Sequence, residues 1–199
     1  MWAPALTAAG FTPVGVWSPA NGGDDAERAA RLARSLEVPF TEGDLPQLDD
    51  GAAVVACLRG ESRQQLLAAV RPEVAVLVDK PTLDSTAEIT AQLAGAATSR
   101  LLSGHHLGSH PSFVRATAAV REGEIGLLRA VMIDLVVAAG DGPSPEGDLR
   151  NIGAHVVDLM LRLTGPASVT LATSALAADA VSFLGQSARG IGLSGHVSR

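Results

Sequence analysis

The stretch "VAVLVDKP", Val74 to Pro81, decides how the rest of the chain is read. Five apolar residues, three of them valine, suit a buried strand and are too few for a helix. The run is unbroken rather than alternating, the mark of a strand covered on both faces in a parallel sheet. It stops abruptly in a carboxylate, an amine and a proline. Pro81 biases Lys80 toward an extended backbone, which fixes where its amine points. Ligands bind outside the carboxyl ends of the strands in an open parallel sheet. Asp79, Lys80 and Pro81 are therefore candidate contacts for a ligand; the competing reading is a turn with a solvated lysine.

Working outward, strands alternate with helices. Upstream, "MWAPALTAAG" reads as a short helix, with Trp2, Ala5, Leu6 and Ala9 on one face and Gly10 as its C-terminal cap. "PVGVWS" is a short strand. Asp24 or Asp25 caps a helix running to Leu36, with Ala29, Leu32, Ala33 and Leu36 inward. Ala52 to Leu58 is a second strand, and Gln64 to Val70 is helical. Downstream, Ser85 and Glu88 match a capping box, "RLLSG" is a strand, and Pro111 opens a helix closed by Gly123. This alternation predicts βαβ units and an α/β fold. The pattern then changes. Leu128 to Ala138 is a long strand, "GDGPSPEGD" is a loop, and Leu149 to Leu163 is a helix. Ala167 to Thr173, Ala180 to Gly185 and Gly190 to Val197 are later strands. The predicted division is 1–124 and 125–199, the second part richer in strands.

Composition excludes several classes of function. The 199 residues suffice for one large domain or two small ones with a real core. A net charge of -6 without a basic cluster argues against a nucleic-acid surface. One cysteine, Cys57, excludes an internal disulfide and any multi-cysteine metal site. No apolar run approaches the roughly 18 residues of a membrane span, and the N-terminus has no signal-like core. A cytoplasmic protein without membrane or nucleic-acid partners is expected.

The helix "RNIGAHVVDLMLRLTG" carries a second candidate. At helical spacing Asn151, His155, Asp158 and Arg162 share a narrow stripe, and apolar residues cover the remainder. A mostly apolar helix is buried, and its polar stripe lines a cleft or pairs within itself. His155 is the stripe member that titrates near neutral pH, a candidate proton donor or acceptor; a structural His–Asp pair is the alternative. His105, His106 and His110 do not make a metal site on spacing, because Gly108 and Pro111 oppose the helix that would align His106 with His110. No metal is expected. "GIGLSG" (Gly190 to Gly195) fits G-x-G-x-x-G literally, but no helix can follow it, so it belongs in or beside a late strand.

Three blocks in this order resemble one family. "VDKP" is similar to the Glu-Lys-Pro signature of the glucose–fructose oxidoreductase / inositol dehydrogenase (Gfo/Idh/MocA) family. "GHHLGSHPSFVRATAAVREGEIGLLRAV" resembles its Arg-x-x-Pro, helix and Gly-x-Ile-Gly segment. "NIGAHVVDLMLRLTG" looks like its Asp-x-Gly-x-His-x-x-Asp helix. The resemblance covers most of the chain. It implies a Rossmann-like dinucleotide-binding domain at 1–124 and an α+β domain at 125–199 with an open mixed or antiparallel sheet. It also implies hydride transfer between NAD or NADP and a sugar- or polyol-like alcohol or ketone. By position, Lys80 steadies the substrate hydroxyl and nicotinamide region, His155 is the acid/base, and Asn151 stands where an aspartate usually assists the proton. Ser18 stands where an acidic residue often holds the ribose, and Cys57-Leu58 where a Thr-Pro step often follows a strand. With Asp79, Lys80 and Pro81 these are the expected cofactor contacts. Gly108 stands where an arginine is frequent. The family's opening strand and glycine-rich loop have no counterpart here, and its later strands are fewer. The expectation is therefore a family member shortened at both ends, its Rossmann sheet incomplete where the strands ending near Trp17 and Leu58 would share a neighbour. A homo-oligomer is an expected assembly. A non-catalytic relative acting as a binding module is the alternative function.

Overall fold

The computed structural model describes residues 2–20, 22–58, 60–80, 87, 100–137, 152–174 and 180–198. The expected Ser85–Glu88 capping box and the loop at 140–148 lie outside them. The chain divides into two compact units, Met1–Ser103 and Gly104–Arg199.

The first unit holds α1 (Trp2–Ala8), β1 (Val16–Ser18), α2 (Asp24–Leu36), β2 (Phe40–Glu42), β3 (Ala53–Ala56), α3 (Gly60–Ala69), β4 (Ala75–Val78) and β5 (Leu101–Ser103). All strand pairs in it are parallel. β4 lies between β3 and β5, with Val76 opposite both Val54 and Leu101. Along β4 Val76 and Val78 are buried while Ala75 and Leu77 are half-buried, so its two faces are unequally covered although the apolar run is unbroken. α3 covers the sheet by placing Leu66 and Leu67 against Ala56, Val76 and Val78. Each such side chain contributes about 1.5–3 kcal/mol when fully buried.

Among the described residues, β1 and β2 form one sheet and β3, β4 and β5 another. β2 pairs through Val16 N–H to the Pro39 carbonyl and Gly43 N–H to the Ser18 carbonyl, both at 3.0 Å. A parallel ladder uses alternate residues on each side of a strand, so the peptide groups of Trp17 are directed to the other edge of β1. The Rossmann-like sheet is thus interrupted between β1 and β3, where the sequence leads one to expect it.

α2 departs in detail from its sequence reading. Its N-cap is Gly23, with no side-chain cap; Asp24, Asp25 and Glu27 lie in the first turn instead. There they act through the positive end of the helix rather than through a capping hydrogen bond. Ala26 and Ala33 are its buried residues, while Leu32 is exposed.

The second unit holds a 3-10 turn (His106–Ser109), α4 (Pro111–Arg121), β6 (Ala130–Val136), α5 (Ala154–Thr164), β7 (Ala167–Ser174), β8 (Ala180–Ser187) and β9 (Gly192–Ser198). Its sheet runs β6-β9-β8-β7, with β6 parallel to β9 and the other pairs antiparallel. Alternation along β6 and β9 turns Val131, Leu193 and Val197 onto Ile152, Val156 and Met160 of the α5 region. The literal G-x-G-x-x-G falls across Gly190–Gly195 and enters β9, a strand and not a nucleotide loop.

α5 is less buried than its composition implies. Val157 and Leu161 are exposed, and His155, Val156, Met160 and Thr164 are buried. The helix therefore has an inner face that includes His155 and an outer face that includes two aliphatic residues.

Candidate functional site

At the carboxyl ends of β3 and β4 the structure brings three expected residues together. The Asp79 N–H donates to the Ala56 carbonyl at 2.9 Å, extending the β3–β4 ladder by one step. The Lys80 N–H then donates to the Asp79 Oδ1 at 3.0 Å, which holds the carboxylate in the turn. Cys57, directly after β3, is close enough to feel that carboxylate. The residue as a whole is exposed. Even so, burial around the sulfur pushes its thiol above the ordinary value, and the Asp79 carboxylate pushes the same way. A raised thiol has less thiolate, the nucleophilic and metal-binding form, at neutral pH. Leu58 packs on the core beside them. Pro81 lies outside the described residues.

Ser18, at the end of β1, is buried. Its hydroxyl faces Gly22, where any Cβ would overlap it, so the β1–α2 turn depends on a glycine at that point. Beside this turn is a cleft of about 550 Å³, at the carboxyl ends of β1 and β2 and against α3. Trp17, Asp44, Leu45, Glu61 and Gln65 contribute to its walls. Trp17 is fixed there by its indole N–H, which donates to the Gly43 carbonyl at 2.9 Å. Sequence reading missed this cleft because it missed β2, whose three residues are too few to show a period.

In the second unit His155 sits in the first turn of α5, after a π-type turn at Ile152 and Gly153. Asn151 lies outside the described residues. Two further imidazoles meet His155. The His106 ring stands 4.8 Å from it, centroid to centroid, at 76°, and the His105 ring 6.0 Å away at 88°. His106 opens the 3-10 turn and His105 precedes it as the N-cap, an arrangement that the spacing of Gly108 and Pro111 did not predict. Three adjacent rings do not amount to a metal site: among the described residues no group of His, Cys, Asp or Glu could hold an ion. The rest of the polar stripe pairs within itself, Arg162 Nε donating to Asp158 Oδ2 at 2.8 Å.

No protein-family model and no curated protein matches the sequence. Solved structures do. A myo-inositol dehydrogenase from Corynebacterium glutamicum superposes with a TM-score of 0.78 at 21% identity, over 94% of this chain and 60% of that one. A levoglucosan dehydrogenase, in complex with NADH and levoglucosan, gives 0.78 at 18% identity, over 98% and 62%. A 3-ketoreductase from Actinomadura kijaniata, in complex with NADP and TDP-benzene, gives 0.74 at 20% identity, over 99% and 66%.

This chain has the fold of these dehydrogenases.

The dehydrogenase fold extends over nearly all of the chain, which spans about three fifths of the length of those proteins. Within it, the strand-end residues Cys57, Asp79 and Lys80 belong to the first unit and His155 to the second. No described helix is long and apolar enough to cross a membrane.

Proposed function

We propose that the chain belongs to the Gfo/Idh/MocA oxidoreductases and takes part in NAD(P)-dependent hydride transfer to or from a sugar- or polyol-like substrate. The observation that carries this reading is the dehydrogenase fold shared over at least 94% of the chain with proteins acting on inositol and levoglucosan. Two residues of the "VDKP" and "NIGAHVVD" blocks stand at chemically suitable places within it, at a parallel strand's carboxyl end and on a buried helix face.

The open cleft beside Trp17 has a volume within the 300–1,000 Å³ typical of small-molecule sites, but the expected contacts Ser18, Cys57, Leu58, Asp79 and Lys80 are not among its lining residues. Its carboxylates, Asp44 and Glu61, suit hydroxyl groups, such as those of a ribose, rather than phosphate oxygens. Bound NAD(P) supplies the hydride acceptor or donor. The chain's own residues do the rest. By the family resemblance, Lys80 would steady the substrate oxygen and the nicotinamide region with its ammonium, and Cys57, Leu58 and Asp79 at the strand ends would contact the cofactor. His155 takes the proton from the substrate hydroxyl as it becomes a carbonyl and returns it in the reverse direction. Asn151 stands where the family's aspartate would assist that proton, and an amide can hydrogen-bond but cannot accept it.

The test is oxidation of a panel of polyols and sugars, followed by the absorbance of reduced nicotinamide. Lys80→Ala and His155→Ala are each expected to lower turnover about a hundredfold or more, with far-UV circular dichroism unchanged. Oxidation rate should rise with pH as His155 loses its proton, and that dependence should vanish in His155→Ala. Unchanged turnover in both variants would remove these residues from the site.

A second reading, a non-catalytic binding relative, is favoured by Asn151 itself. Asn151→Asp separates the two: a gain in rate supports a weakened proton path in an enzyme, and no turnover with either residue supports the binding module.

A further inference from the structure

Gly108 and Arg162 occupy one another's space. Gly108 is buried in the 3-10 turn, and a Cβ built on it would overlap the Arg162 guanidinium, 2.7 Å from Cζ. The guanidinium reaches this seat from α5 while donating Nε–H to Asp158 at 2.8 Å. Asp158 is largely covered, at 18% side-chain exposure. It follows His155 by three residues, which places the two side chains as neighbours on the same helix face. The turn held by this contact is the one that presses His105 and His106 against the His155 ring.

We propose that Arg162, Asp158 and Gly108 form a positioning clamp for His155. The glycine leaves a seat, the guanidinium fills it and neutralises the carboxylate beside His155, and the turn bearing two imidazoles is pinned against the third. Arg162 is thus a positioning residue, acting through Asp158 and the turn.

Among the described residues of this unit, the charged and titratable groups around His155 come from two elements. Asp158 and Arg162 are on its own helix, and His105 and His106 come from the turn. β6 and β9 present Val131, Ile133, Leu135, Leu193 and Val197 to α5, and alternation turns Asp134 and His196 to the other sheet face. On α4, Arg115 and Arg121 are exposed. Without its guanidinium, Asp158 is an unneutralised carboxylate three residues from His155 on the same helix, and a nearby anion favours imidazolium.

The expected consequence can be read without cofactor or substrate, by NMR titration of the imidazole carbons, with His155 assigned from its loss in His155→Gln. Arg162→Leu should raise the midpoint of His155 by about half a pH unit or more. Gly108→Ala, which displaces the guanidinium without deleting it, should shift it the same way, and serves if Arg162→Leu does not fold. The decisive variant is Gly108→Arg combined with Arg162→Leu, which offers a guanidinium from the turn and should return the midpoint toward its original value. A midpoint indifferent to Arg162→Leu and Gly108→Ala, or not restored by the double variant, overturns the clamp. The catalytic consequence rests on the oxidoreductase reading, but the titration does not. Absence of turnover with an intact titration shift refutes that reading alone, and turnover with no shift refutes the clamp alone.

Discussion

Cys57 and Asp79 share a strand tip, and their coupling gives the tip a measurable signature. Burial first and the Asp79 carboxylate second raise the thiol above its ordinary value. The reactive thiolate fraction at neutral pH is therefore reduced. Replacing Asp79 by Asn removes the repulsion, lowers the thiol's pKa and should speed alkylation of Cys57 by iodoacetamide roughly two- to threefold at pH 7.5. An unchanged rate would mean that the carboxylate does not reach the sulfur. At this scale the sequence was partly legible. Pro81 fixed attention on Lys80, and helical spacing put Asp158 and Arg162 on one stripe, where they pair. The meeting of His105 and His106 with His155 was not legible. It depends on a 3-10 turn through Leu107 and Gly108, and on a side chain from a distant helix seating against that glycine. No local period encodes either.

Among the elements, the hairpin from β8 to β9 shows how one buried hydroxyl holds a turn. Ser187 Oγ accepts from the backbone N–H groups of Arg189 and Ile191, each at 3.2 Å. The Ser187 backbone closes the same turn, donating to the Ile191 carbonyl and accepting from Gly190, both at 2.9 Å. Ser187→Ala leaves the buried Ile191 amide and the part-buried Arg189 amide without that acceptor. It is expected to cost about 1–3 kcal/mol, measured by urea unfolding followed by circular dichroism; a loss under about 0.5 kcal/mol would show that the turn is held by its backbone bonds alone. Strands with four or more residues of clear pattern were legible, from Val74–Val78 to the three late ones. β2 was not, because Phe40-Thr41-Glu42 is recognisable only once β1 lies beside it. The capping of α2 was misread for a related reason: aspartates suit both a cap and a first turn, and the choice depends on Gly23 taking the preceding positive-φ position. Burial of α5 was overestimated because Val157 and Leu161 are apolar in type yet exposed in place.

For the whole molecule, the alternation of strands and helices carried the α/β assignment, and the change of pattern after the fourth helix carried the mixed sheet. Three short blocks in the right order carried the resemblance, which the solved structures then matched in fold over nearly the full chain. The interrupted sheet between β1 and β3 could be anticipated only through that resemblance, since no residue in either strand states which neighbour it lacks. The proposed function requires nicotinamide dinucleotide binding. Isothermal calorimetry of the chain with NADH and with NADPH tests this most directly. Saturable binding of at least one of them at millimolar concentration or below is the predicted result, weakened by substitutions in the cleft such as Asp44→Lys. No heat of binding from either cofactor at several millimolar would contradict it.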